Sequence, residues 1–105
     1  MPTIYEYFGI MILFYSDEHE PIHVHAKYGD SVVKVSFFLK EGKIYRTTFA
    51  EINGKFPPQK MKQHKKFVSV YKWKIVLRWD EYFIYKKSQK KEVITKKIKN
   101  EDSYN

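Results

Sequence analysis

The sequence predicts an α+β fold: a four-stranded antiparallel meander packed against one long C-terminal helix, followed by a short basic C-terminal extension. Three observations lead there. Apolar and alternating segments of strand length fill the first half of the 105-residue chain. The pairs Gly29-Asp30 and Glu41-Gly42 separate them at hairpin spacing. Beyond Phe56-Pro57-Pro58 no Gly or Pro recurs, and apolar residues return every three or four positions. The length suits one core, assigned to residues 1–85, with 86–105 as a lysine-rich extension docked in part at 92–98.

Residues 8–15 (Phe-Gly-Ile-Met-Ile-Leu-Phe-Tyr) form a continuous apolar run, the pattern of a central strand covered on both faces. The polar stretch 16–21 ends in proline and reads as the loop leaving it. From Ile22 to Tyr28 the pattern alternates, with His23, His25 and Lys27 on one side and Val24, Ala26 and Tyr28 on the other. Gly29-Asp30 turns the chain into a third strand that places Val33, Val35, Phe37 and Leu39 on one face. Glu41-Gly42 turns it again into a fourth, residues 43–49. Asn53-Gly54 closes the sheet region, and the two prolines suit a helix start. Met61, His64, Val68, Tyr71, Ile75, Trp79 and Tyr82 make the apolar stripe of an amphipathic helix lying across the sheet. Residues 68–79 are also rich in β-branched and aromatic types, a composition that strands share. Trp73 and Trp79, six apart, cannot both face the sheet, so one is expected to mark a subunit interface and a homodimer joins the expected partners.

Apolar residues at 43% and aromatics at 18% describe a folded globular protein. Most of the seventeen Phe and Tyr residues fall at sheet or helix spacing and read as core. Cysteine is absent, which removes disulfides, thiolate metal sites and a cysteine nucleophile. No Gly-rich phosphate loop, nucleophile elbow or dinucleotide fingerprint occurs, so cofactor-dependent chemistry is not expected. The start lacks a basic leader region and residues 8–15 are too short to span a bilayer, so the expectation is a cytoplasmic protein with no membrane association. The net charge of +8 is unevenly spread: residues 1–54 carry five Lys/Arg against seven Asp/Glu, residues 55–105 fifteen against five. That asymmetry favours a polyanionic partner, nucleic acid or an acidic protein, with Lys86, Lys87, Lys90 and Lys91 as candidate contacts.

The stretch Asp17-Glu18-His19-Glu20-Pro21-Ile22-His23-Val24-His25 concentrates the chemistry. His23 and His25, two apart on a strand, share a face and can converge on one ion, with Asp17 and His19 as third and fourth donors to a divalent metal. Without metal, the same pair suits general acid and base roles in phosphodiester cleavage, above all of RNA. A structural reading has Asp17 and His19 capping the turn and His23 and His25 bonding loop carbonyls. His64 reads as part of the helix stripe.

Met1-Pro2-Thr3-Ile4, Ser16-Asp17-Glu18-His19-Glu20-Pro21-Ile22-His23-Val24-His25 and the Pro57-Pro58 helix start together resemble the small prokaryotic family named domain of unknown function 4160. The resemblance spans roughly residues 1–85. It rests on an M-P-x-I start and a D-x-H-x-P-P-H-x-H signature, matched here by Asp17, His19, Pro21, His23 and His25, with Ile22 in place of the second proline. It implies no reaction, but an association with toxin–antitoxin pairs and hence a cognate toxin or antitoxin partner. The expected function is therefore a toxin–antitoxin-type module that binds a protein partner or nucleic acid, with the histidine cluster as its site. A ribonuclease or hydrolase using His23 and His25, metal-dependent or not, and a non-catalytic oligomeric interaction protein are the alternatives.

Overall fold

The computed structural model describes residues 2–15 and 21–98 and has the α+β architecture, with one helix on one face of a six-stranded sheet. The strands are β1 (Thr3–Tyr7), β2 (Ile10–Leu13), β3 (Ile22–Tyr28), β4 (Ser31–Lys40), β5 (Lys43–Asn53) and β6 (Glu92–Ile94). The helix α1 runs Pro58–Phe83 between β5 and β6. Strand order is β5-β4-β3-β2-β1-β6, antiparallel throughout except for the parallel pair β1–β6. No helix among the described residues is long and apolar enough to cross a membrane.

The expected four-stranded meander is β2 to β5, which run inward from the β5 edge of a larger sheet. Its first strand is shorter than expected, because Phe8 and Gly9 leave the extended conformation with φ of 46° and 84° and form a two-residue hairpin turn. Positive φ at both central positions is the type I′ pattern, which suits strand twist but disfavours a bulky first residue. An aromatic carries no turn signal, so this hairpin and the strand before it escape notice in the sequence. β6 comes from the docked segment expected at 92–98 and adds to the β1 edge. The turn at Glu41-Gly42, with φ of 53° and 77°, repeats the type I′ geometry where the sequence does announce it.

The sheet face toward α1 carries Ile10, Ile12 and Phe14, then Val24 and Ala26, then Val33, Val35 and Phe37, all buried. From the helix come His64, Phe67, Val68, Ile75, Val76, Trp79 and Phe83, also buried, while Met61, Tyr71 and Tyr82 are half-buried against them. The predicted stripe therefore faces the core as a helix along its whole length, including 68–79. Aromatic edges and faces join the layers: Phe67 lies 5.5 Å from Tyr5 and 5.0 Å from Tyr7 between centroids, and Phe14 lies 5.6 Å from Tyr82. Pro58 occupies the first helical turn, where its missing N–H is harmless. The other end closes with Lys86 at φ 58°, in the left-handed region, and with a widened last turn in which the Lys87 N–H donates to the Glu81 carbonyl at 2.8 Å.

Candidate functional site

Among the described residues no helix lies on the other face of the sheet, and the histidine pair is there. Because Val24 and Ala26 face α1, period two turns His23 and His25 the opposite way. The register of neighbouring strands then fixes their surroundings. His23 pairs with Ser36 of β4, which pairs with Thr48 of β5. One row along, His25 pairs with Leu13 of β2 and Lys34 of β4. Lys27, Met11 and Val32 form the next row. Directly opposed residues in such ladders bring their Cβ atoms within about 4.5–5.5 Å, so each row is a set of neighbouring side chains on one face.

His23 and His25 form the floor of this face, 4% and 6% exposed, with Ser36 nearly as buried. Their rings stand 5.8 Å apart and almost perpendicular. His23 Nδ1 lies 3.0 Å from the Pro21 carbonyl. A carbonyl only accepts, so Nδ1 carries the proton and, in the neutral ring, the lone pair sits on Nε2. His25 stacks on Tyr15 at 3.6 Å. The rim is cationic and more open: Lys34 and Thr48 are half-buried, Lys27 and Arg46 exposed, with the Arg46 guanidinium 5.6 Å above the Phe38 ring. A shallow groove of about 400 Å³ lined by Thr3, Gly9, Met11, Leu13, Lys27 and Gly29 continues the face past His25.

Of the residues singled out in the sequence, the structure brings His23 and His25 together. Asp17 and His19 lie outside the described residues, and among those described no group of three or more His, Asp or Glu side chains is gathered as a metal site. The four C-terminal lysines have different surroundings. Lys86 and Lys87 border a groove beside Tyr82, Phe83 and Ser88, the Lys90 carbonyl accepts from Arg78, and Lys91 pairs with Glu6 at 2.9 Å.

Lys34, Ser36 and Thr48 as neighbours of the histidines were not anticipated. The signal for two of them was present, since a two-residue turn at Gly29-Asp30 sets His23 opposite Ser36 and His25 opposite Lys34. A second cationic grouping had no such signal. Lys62 and Lys66 of α1 and Lys97 line a cleft of about 160 Å³ with Gln59, Gln63 and Tyr7, joining residues far apart in the chain. His64, the remaining described histidine, is fully buried in the core between Phe49 and Phe56. Burial, seconded by the Lys65 charge, lowers its pKa to about 4.

Comparison with curated proteins and with solved structures returned no match. Among protein families, the one described as Domain of unknown function (DUF4160) matches residues 9–80, which takes in β2 through most of α1 and with them both histidines and their ladder partners. The chain belongs to this DUF4160 family.

Proposed function

We propose that this protein is a cytoplasmic nucleic-acid-binding module of toxin–antitoxin type, and that the helix-free sheet face centred on His23 and His25 is its binding surface. The observation that carries this reading is the ladder register, which groups two imidazoles, a serine, a threonine and a lysine on one face, rimmed by Lys27 and Arg46. Cations at the rim neutralise phosphates, hydroxyl and imidazole groups hydrogen-bond, and Tyr15, Phe38 and Tyr45 offer rings for stacking. Lys86, Lys87, Lys90 and Lys91 add positive charge toward the β6 edge. The toxin–antitoxin setting rests on the family resemblance and supplies the cognate protein partner.

The test is fluorescence anisotropy with a labelled single-stranded RNA over a salt series. Binding should weaken steeply with salt, and Lys34→Ala and Arg46→Ala should each lower the logarithmic salt slope by about 1. Replacing Lys86, Lys87, Lys90 and Lys91 together should weaken binding without abolishing it. Affinity insensitive to salt and to Lys34→Ala would refute the assignment.

One observation favours a second reading, RNA cleavage: His25 stands opposite Lys34 and 5.8 Å from His23. One imidazole would take the 2′-hydroxyl proton and the other protonate the leaving oxygen, with Lys34 on the phosphate. In its metal-dependent form, Asp17 and His19 would be the further donors to a divalent ion, as the sequence spacing suggests. The same RNA run on a gel should be shortened by the parent and intact with His23→Ala. Intact RNA with the parent, with and without zinc or manganese, confines the function to binding.

A further inference from the structure

α1 presents a second apolar surface that the core does not use. Val70, Trp73, Leu77 and Ile84 account for four of the nine large exposed hydrophobic residues among those described. Trp73 is 41% exposed and Leu77 60%, although both sit mid-helix, where a side chain has neighbours on either side. At 100° per residue Val70, Trp73 and Leu77 fall on one stripe, roughly opposite Tyr71 and Ile75, which face the sheet. Ile84, just past the last helical turn, continues it.

The polar members of this stripe are arranged by sign. Lys62 and Lys66 lie on its N-terminal half and Asp80 and Glu81 on its C-terminal half. Lys66 precedes Trp73 by seven residues and Asp80 follows it by seven. Lys62 precedes it by eleven and Ile84 follows it by eleven. Among the described residues neither Lys66 nor Asp80 has an ion-pair partner.

We infer that this face of α1 pairs with the same face of a second copy, the two helices antiparallel about a two-fold axis at Trp73. The two indoles meet at the axis, Val70 lies against the partner copy's Leu77, and Lys66 lies level with the other copy's Asp80. The Lys62 stem covers the opposite Ile84. A parallel pairing would instead set lysine against lysine and aspartate against aspartate, so the charge order selects the antiparallel arrangement. One helix pair is a contact at the small end of specific interfaces, and the dimer should therefore dissociate on dilution.

The test is sedimentation velocity on the full chain over a concentration series, with Trp emission followed in parallel. The parent should pass from monomer to dimer with concentration, and its emission should shift to the blue as Trp73 is covered. Leu77→Glu should remain monomeric with an unchanged circular dichroism spectrum, since the side chain it replaces is exposed. Lys66→Glu and Asp80→Lys should each weaken dimerisation roughly fivefold to tenfold. The double variant should return to within about twofold of the parent, because the swap rebuilds both symmetry-related pairs. A parent that stays monomeric overturns the inference, as does a dimer indifferent to Leu77→Glu or a double variant that fails to recover.

Discussion

His64 shows how a single side chain sets the pH response of the fold. It projects from α1 into the core, edge-on to Phe49, with neither ring nitrogen hydrogen-bonded. The folded protein keeps it neutral down to about pH 4, whereas the unfolded chain takes up a proton near 6.5. Between those values the unfolded state binds more protons, so this group's contribution to stability is full above about pH 6.5 and is lost as pH falls toward 4. The loss amounts to on the order of 3 kcal/mol. His64→Leu should remove that pH dependence and unfold in urea at higher concentration than the parent at pH 5, because it also deletes two buried polar atoms without partners. Equal midpoints for the two proteins at pH 5 and at pH 7.5 would contradict this. The sequence placed His64 on the helix stripe correctly, but the depth of that position depends on Phe49 and Phe56 closing over it.

At the scale of elements, the decisive contacts tie the segment after α1 back to the first strand. Arg78 donates to the Ile4 carbonyl and to Gln89 Oε1, each at 2.7 Å, and to the Lys90 carbonyl, while its guanidinium covers the Tyr5 ring at 4.9 Å. Burial raises the Tyr5 pKa, and the Arg78 charge and hydrogen bond oppose that rise. One helix residue therefore joins β1, the post-helix segment and the approach to β6. Arg78→Met keeps the apolar stem but loses every one of these bonds, and should cost about 2–3 kcal/mol. Native-state hydrogen exchange should show amide protection falling first in β6, ahead of β3 and β4. The turns divide according to their chemistry. Glu41-Gly42 was legible, whereas Phe8-Gly9 was hidden because its first residue is one that a positive φ ordinarily excludes.

For the molecule as a whole, the question is where the folded unit ends. The boundary at 85/86 drawn from composition follows the switch from apolar stripe to lysines. Yet β6 pairs with β1, and Ile98 is buried with its N–H bonded to the Tyr7 hydroxyl at 3.0 Å. Truncation after Tyr85 uncovers that edge, frees Arg78 of two partners and forfeits about 2 kcal/mol of apolar burial from Ile98 alone. The thermal midpoint should drop by roughly 10 °C or more, and an unchanged midpoint would restore 86–105 to the status of an independent tail. The charge asymmetry acts at this scale too. Strands β1 to β5 supply the histidine face, while the cation-rich second half supplies α1 and its surroundings, so the two proposed surfaces lie on opposite sides of the sheet.

The sequence alone determined the class of fold, the antiparallel strands β2 to β5, the helix and the same-face relation of His23 and His25. Each of these follows from local periodicity and turn chemistry, which act over a few residues. The Leu13 and Thr48 neighbours of the histidine pair, the parallel pairing of β6 with β1 and the depth at which His64 is buried were decided only by the tertiary structure. They depend on contacts between residues tens of positions apart, and such contacts are selected by packing one layer against another rather than by any pattern within a segment.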